Sequence, residues 1–429
     1  MRALRLFAIM VVFASATVAW MVLGGIVWAR TERLDTRLSG EMRSLWGPKV
    51  LTQLAPYWTI SPREGRGEPS PAAPSASRIV ANIRHDQRYK GLLWYSTFSV
   101  DFDASYTVPP AAPGNGTEGF FVFSLPTGVN GYDNLSAAVN GKPQEVRQDQ
   151  VASGRLVLPL DLAAESAVSI RYTTDGQDVW VYAPGEAPNV TGDRESGYSI
   201  SGSAGGRLVK VSNFSLRVNT DFRDVDYLKG ARSPSTPVKA NDGGVAAEWQ
   251  LNEALTSQPI GIVMPCRRNA GPLVARMSFF APVSLLFFFT VLFTLVVLKA
   301  IPLHPMHYLF ISAGFFAFHI LMAYLADIVT IHAAFWICAA VSVLLVVSYM
   351  RLVAGVKFAV TYVGLAQLVY LVGFSYAFFW ERRTGLAVTV GAILTLFVLM
   401  QATGRVKWHE VFTRETGLPI PPPGGRPTQ

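Results

Sequence analysis

The sequence has few charged residues and almost no cysteine. Charged residues account for 15% of the 429 positions, and only Cys266 and Cys338 are present. Cys266 precedes an apolar run and Cys338 lies within another, so we expect neither a disulfide nor thiol chemistry. A nucleophile elbow, a P-loop, a zinc-protease motif and a dinucleotide fingerprint are also absent. These absences argue against an enzyme, and we predict no catalytic residue, no cofactor and no metal.

Six runs of the sequence contain no Lys, Arg, Asp or Glu. A helix needs roughly 20 apolar residues to cross the hydrocarbon layer of a membrane, and each run approaches or exceeds that length. The runs therefore predict an integral membrane protein. Its first span anchors the N-terminus, and the other five form one bundle. The predicted spans are 6–29, 277–298, 306–326, 333–350, 358–380 and 386–404.

The formal net charge of +8 is unevenly distributed along the chain. Residues 30–275 carry 25 basic and 25 acidic side chains, so this long middle segment is neutral. The basic excess falls in the termini and in alternate loops of the bundle. Basic residues favour the cytoplasmic side of a membrane, so we predict cytoplasmic termini and a middle segment on the opposite side. Membrane topology thus explains the basic charge, and we do not expect nucleic-acid binding.

The middle segment changes its pattern along its length. Leu34, Leu38 and Met42 recur at helical spacing, whereas residues 61–77 are rich in Pro, Gly and Ser, as linkers are. Beyond them apolar and polar residues alternate, which predicts strands and an all-β, antiparallel sandwich inserted between the first span and the other five. The predicted regions are a cytoplasmic N-terminus at 1–5, an anchor at 6–29, a juxtamembrane helix and extended segment at 30–60, a linker at 61–77, a β-rich domain at 78–275, a five-helix bundle at 276–404 and a cytoplasmic tail at 405–429.

Turn pairs punctuate the predicted strands. Asn140-Gly141, Asp175-Gly176 and Asp242-Gly243 are residue pairs typical of tight turns between strands. The sequence determines neither the strand order nor whether the domain is one sandwich or two.

Polar residues within the predicted spans are the candidates for a site, because burying a polar group in hydrocarbon is costly. On a helix, Tyr308, Ser312, His319, Ala323 and Asp327 fall on one stripe, which should face the bundle. One hypothesis is a proton- or ligand-sensitive site at His319. The other is a structural, neutral imidazole bonded to a neighbouring helix, with the predicted partners Gln367 and Gln401.

The segment His304-Pro305-Met306-His307 has two histidines three residues apart, and such a pair could bind one metal ion. No further ligand lies nearby in the sequence, and structural zinc needs four. The intervening proline favours a turn between two spans, so we predict a turn here and no metal.

Three short motifs resemble those of a known family. Leu303-His304-Pro305-Met306 is similar to the opening of the third span in the CreD-like inner-membrane proteins, the cell-envelope integrity proteins of bacteria. Trp46-Gly47-Pro48 resembles the family motif just outside the first helix, and residues 403–408 look like its exit from the last span. The resemblance implies a bacterial inner membrane, a periplasmic middle domain and a role in envelope integrity or stress tolerance. It implies no catalytic residue.

The leading functional hypothesis is a non-enzymatic envelope protein. Besides the lipid bilayer, its β-domain would bind an envelope protein, a lipid or a glycan. The alternative is a transporter or lipid-handling channel that uses His319, Gln367 and the polar stripe. The sequence identifies neither the partner nor the oligomeric state.

Overall fold

The computed structural model describes residues 2–60, 71–91, 93–112, 118–193, 196–201, 208–236, 238–240, 243–267, 269–299, 301–380 and 384–404. The predicted cytoplasmic tail, most of the predicted linker and one member of the Asp242-Gly243 pair lie outside the described residues. The chain divides into two compact units. The β unit is Leu34–Arg268, and the helical unit combines Met1–Arg33 with Asn269–Gln429.

Among the described residues, six helices are long and apolar enough to cross a membrane, as the charge-free runs predict. Pro282 lies inside α3 and is buried there, and no disulfide joins Cys266 and Cys338. The six helices are α1 (Arg2–Trp46), α3 (Ala270–Lys299), α4 (Pro305–Leu325), α5 (Ile331–Ala354), α6 (Val356–Phe379) and α7 (Thr384–Thr403), and a short helix α2 (Gln148–Ala152) lies in the β unit.

The first helix is longer than the predicted anchor. α1 continues without a break through the segment predicted as a separate juxtamembrane helix and ends at Trp46. No proline interrupts this stretch, and Gly47 follows with a φ of 79°, the left-handed conformation that terminates helices. Its N–H donates to the carbonyl of Arg43, and Pro48 cannot extend the helix.

The described residues of the β unit form four sheets. The strand orders are β15-β16-β13-β3-β4-β9-β6-β7, β1-β10-β17-β14, β2-β5-β8 and β11-β12. The strands are β1 (Val50–Leu54), β2 (Tyr57–Ile60), β3 (Ala76–Lys90), β4 (Leu93–Val108), β5 (Glu118–Ser124), β6 (Asp133–Val139), β7 (Lys142–Gln144), β8 (Arg155–Asp161), β9 (Ser166–Gln177), β10 (Val179–Ala183), β11 (Val190–Thr191), β12 (Ser199–Ile200), β13 (Val209–Thr220), β14 (Asp226–Tyr227), β15 (Lys239–Ala240), β16 (Val245–Thr256) and β17 (Ile260–Val263).

The eight-stranded sheet shares one hydrophobic core with the three- and four-stranded sheets. Alternate residues of β4, such as Phe98 and Phe102, are buried in that core, as their spacing predicts. The β unit follows α1 and lies N-terminal to the block of five helices. One expectation needs correction, because the sheets of the β unit are not purely antiparallel. β1 pairs with β10, and β3 with β13, in parallel.

One predicted turn is wrong. Asn140 and Gly141 both have positive φ in the tight turn between β6 and β7, but Asp175 and Gly176 lie inside β9. Gly176 pairs with Phe98, and a Cβ there would approach the Phe98 ring to 2.7 Å. The glycine thus makes room for an aromatic side chain in the core.

Candidate functional site

His319 lies on the face of α4 that contacts α1. Its side chain is 1% exposed, and its Nδ1 lies 3.0 Å from the carbonyl oxygen of Phe315. A carbonyl only accepts, so Nδ1 donates to it. The Trp20 ring stands edge-on at 5.6 Å between centroids. Neither His319 Nε2 nor Trp20 Nε1 has a hydrogen-bond partner among the described residues.

His319 does not bond to Gln367 or Gln401, the partners expected from the sequence. Gln401 is exposed, and the Gln367 amide donates to Ser342 Oγ over 3.0 Å. The correction has a geometric cause, because the imidazole points towards α1 while Gln367 faces α5.

Asp327 forms an ion pair with Arg30 just beyond the end of α4. Their side chains are 16% and 36% exposed, respectively, and the Arg30 guanidinium also lies 6.0 Å from the centre of the Tyr324 ring. The contact between Trp20 and His319 comes before the Arg30–Asp327 pair along both α1 and α4. The two helices therefore run in the same direction. Sequence reasoning missed Trp20 and Arg30 because nothing in a one-dimensional pattern shows which helix packs on the stripe.

The other members of the α4 stripe are also buried. Tyr308, Ser312 and Ala323 are at most 5% exposed, and Ser312 Oγ donates to the carbonyl of Leu309 in its own helix. The stripe therefore packs inside the helical unit.

Gln367 belongs to a chain of hydrogen bonds that joins three helices. Its amide donates to Ser342 of α5, and the Ser342 hydroxyl donates to the Gly314 carbonyl of α4 over 2.7 Å. Gln367 is fully buried, and its Oε1 has no partner among the residues that the structure describes. The chain can hold α4, α5 and α6 in register, and it leaves one acceptor unused.

The backbone of α6 is irregular on both sides of Gln367. Residues Ala359–Gly364 and Leu368–Gly373 form π-helical turns, in which carbonyls lose their usual helical partner. The Tyr370 carbonyl accepts a hydrogen bond from Ser284 of α3, and the Tyr370 hydroxyl donates to Thr395 of α7. Side chains from neighbouring helices thus support the widened backbone.

The motif Trp46-Gly47-Pro48 lies where α1 ends in the β unit. The Gly47 carbonyl accepts from the Gln177 side chain at 2.6 Å, and the Pro48 carbonyl accepts from the Gln177 backbone N–H. The Arg88 guanidinium lies 4.6 Å from the centre of the Trp46 ring. These contacts give the motif a structural role in attaching the end of the helix to the sheet.

The motif Leu303-His304-Pro305-Met306 begins α4. His304 Nδ1 accepts from the Met306 N–H, and Pro305 occupies the first turn, where its missing donor costs nothing. Leu303 is buried. His307 Nδ1 lies 2.7 Å from the Tyr349 hydroxyl, so the two histidines serve different contacts. No group of three or more metal-ligating side chains occurs among the described residues.

The β unit contains a narrow apolar slot of about 30 Å³. Phe214 of β13 and Tyr182 of β10 form part of its wall, and the segments around Pro56 and Pro74 form another part. Lys210 and Arg232 also line it. A separate open groove of about 650 Å³ is lined by loop residues 126–132 and 151–154. The sequence alone revealed neither cavity, since each joins segments far apart in the chain.

No curated protein matches this sequence. A solved structure described as a putative nutrient binding protein from Legionella pneumophila subsp. pneumophila str. Philadelphia 1 is similar over 56% of this chain and 76% of its own, with 10% identity and a TM-score of 0.23. The model of the family described as "Inner membrane protein CreD" matches residues 240–409. This match confirms, over those residues, the resemblance predicted from the sequence. Together with the six apolar helices it supports a multi-pass membrane protein.

Proposed function

We propose that this protein is a non-enzymatic component of the bacterial inner membrane that maintains cell-envelope integrity or stress tolerance. Both termini lie in the cytoplasm, and residues 30–275 lie in the periplasm. There the β unit binds another envelope component, and the helical unit anchors it. The partner is a protein, a lipid or a glycan of the envelope.

The family match carries this proposal. It extends from residue 240, within the β unit, through the five helices that follow it. The excess of basic residues in the termini and alternate loops supports the orientation. The size and the neutral charge of the β unit support partner binding.

The internal use of polar groups supports an anchoring role for the helical unit. Asp327 pairs with Arg30, and Gln367 bonds to Ser342. Polar side chains that bond across helices hold membrane bundles together, so these residues have a structural use without any transported substrate.

The alternative function is transport or lipid handling by the helical unit. His319 Nε2 and Gln367 Oε1 favour it, because both are buried and lack a partner among the described residues. The π-helical turns on either side of Gln367 also favour this alternative, since such turns are frequent at functional sites. A substrate path would have to use both groups.

The test of the proposed function is deletion of the gene, followed by complementation with the full chain. We expect the deletion strain to grow less well in SDS with EDTA, and the full chain to restore growth. Equal growth of the parent and deletion strains under envelope stress would contradict the proposal. Crosslinking in native membranes with mass spectrometry should then link the β unit to an envelope component.

A further inference from the structure

Strand β13 has an open edge over its first residues. It pairs with β16 from Val209 to Thr220, except at Asn213. Its pairing with β3 begins only at Phe214, opposite Ser77. Within the described part of the chain, residues 209–212 therefore have a strand neighbour on one side only. In an antiparallel ladder alternate residues direct their N–H and C=O groups away from the partner strand, so on this edge these groups have no strand partner among the described residues.

The chain ahead of β3 leaves this edge because it is bound to another sheet. Ala72 and Trp58 exchange two backbone hydrogen bonds of 2.9 Å each, and the Trp58 indole N–H donates to the Ala73 carbonyl. Pro74 has no N–H to offer. β3 therefore joins β13 only after the chain has crossed from one sheet to the other, and the gap is built into the fold.

The apolar slot lies directly beside the open edge. Val209, Lys210, Val211 and Ser212 all line it, together with the core residue Phe214, which is 4% exposed. The slot is narrow, with a volume of about 30 Å³ and a mostly apolar lining. An open strand edge with an adjacent side-chain pocket is the arrangement by which proteins bind an extended peptide as an added strand.

Two cations border the slot. Lys210 forms an exposed ion pair with Glu253 at 3.6 Å. Arg232 also lines the slot, and the structure gives its guanidinium no ion-pair partner among the described residues. An acidic group on a bound peptide could pair with Arg232, and a guanidinium favours carboxylates.

We propose that residues 209–212 and the adjacent slot bind an extended segment of a partner protein. The segment adds to β13 as a strand, places one apolar side chain in the slot and directs an acidic side chain towards Arg232. An acyl chain could fill the slot, but it has no groups that bond to the open backbone. The inference rests on the proposed function and narrows its partner to a protein.

The test uses the full-length protein in lipid nanodiscs and a library of acetylated random heptapeptides. We expect enrichment of peptides with alternating apolar residues and one acidic residue. The best peptide should lose about tenfold or more in affinity when its alternate backbone amides are N-methylated, because each strand hydrogen bond removed weakens binding.

Matched variants locate the binding site. Ala73→Phe fills the slot and should weaken binding about tenfold, whereas Ala152→Phe on the exposed helix α2 should not change it. Arg232→Gln should weaken only acidic peptides, by about threefold to tenfold, and Arg155→Gln on β8 should have no effect. Thermal melting of each variant checks that it folds.

Three outcomes would overturn the inference. One is the absence of enrichment over empty nanodiscs, and another is binding that N-methylation and Ala73→Phe leave unchanged. The third is that oleate or anionic lipid vesicles, but no peptide, bind in a way that Ala73→Phe blocks. The envelope phenotype of the deletion strain is measured separately, so failure of peptide binding and failure of the proposed function are distinguishable.

Discussion

At the scale of single residues, the polar side chains of the membrane helices are mostly used within the helical unit. Ser312 and His319 bond to carbonyls of their own helix, and Asp327 pairs with Arg30. The sequence indicated which α4 residues face inward, because helical spacing fixes the stripe. It could not indicate that Trp20 and Arg30 of α1, nearly 300 positions away, contact His319 and Asp327.

Substitutions of Arg30 and Asp327 should have non-additive effects on stability, because the two side chains form an ion pair. Asp327→Asn leaves a partly buried guanidinium without its carboxylate and should lower the free energy of unfolding by about 2 kcal/mol, between the values for exposed and buried pairs. The double variant with Arg30→Gln should lose less than the sum of the two single changes. SDS titration in mixed micelles measures the cycle, and strictly additive losses would show that the pair is energetically unimportant.

His319 should act through its hydrogen bond to Phe315. His319→Asn keeps an amide near the position of Nδ1 and should retain both stability and growth under envelope stress. His319→Gln does not keep an amide near that position, and its free energy of unfolding should be lower by about 1 kcal/mol. Thermal melting and complementation measure the two properties. A folded, stable Asn variant that fails to complement would instead favour the transport alternative, in which the imidazole itself is needed.

His85 in the β unit should make stability depend on pH. Its Nε2 lies 3.0 Å from Ser96 Oγ, whose hydroxyl donates to the Pro265 carbonyl. Burial lowers the pKa of His85 below its usual 6.5, and nearby Asp221 and Asp86 only partly oppose this. The native state therefore disfavours the proton that the unfolded chain accepts, so stability present above pH 6.5 is lost as the pH falls through that value.

The measurement is the thermal unfolding midpoint of the full chain between pH 7.5 and 5.5. The midpoint should fall towards pH 5.5, and His85→Gln should flatten the decline. Identical slopes for the wild type and the variant would exclude His85 as the cause.

At the scale of elements, charge-free runs predicted the membrane helices well, and local pattern predicted less elsewhere. The sequence marked the anchor and the juxtamembrane helix as two segments, whereas α1 runs through both and ends before the Gly47-Pro48 pair. The alternation of apolar and polar residues predicted strand β4. The order of the strands depends on contacts between distant segments, which a local pattern does not show. The turn predicted at Asp175-Gly176 was wrong because a glycine can serve either a turn or close packing inside a strand.

The π-helical turns of α6 should depend on side chains from neighbouring helices. Ser284→Ala removes the donor to the Tyr370 carbonyl and should cost about 1–2 kcal/mol, because a buried carbonyl loses its partner. Ser278→Ala is the matched control, since Ser278 is also buried in α3 but bonds to Val274 of its own helix. SDS titration compares the two variants, and equal effects would argue against a specific role for Ser284.

At the scale of the whole molecule, function depends on which side of the membrane holds the β unit. Envelope binding requires the β unit and the C-terminus in different compartments. Charge asymmetry in the sequence predicts this arrangement, and it was available without any structure because it depends only on the positions of Lys and Arg relative to the spans. The apolar slot could not be predicted from the sequence, since it forms from residues on β10, β13 and two loops.

The most direct test is cysteine accessibility in cells, with Cys266→Ser and Cys338→Ala as the background. Ser153→Cys places a thiol on an exposed part of the β unit, and Lys357→Cys places one on the exposed first turn of α6. With the outer membrane permeabilised, an impermeant maleimide should label the first thiol in intact cells and the second only after the inner membrane is opened. Labelling of both thiols under the same condition, or in the reverse order, would contradict the periplasmic placement of the β unit and its role in the envelope.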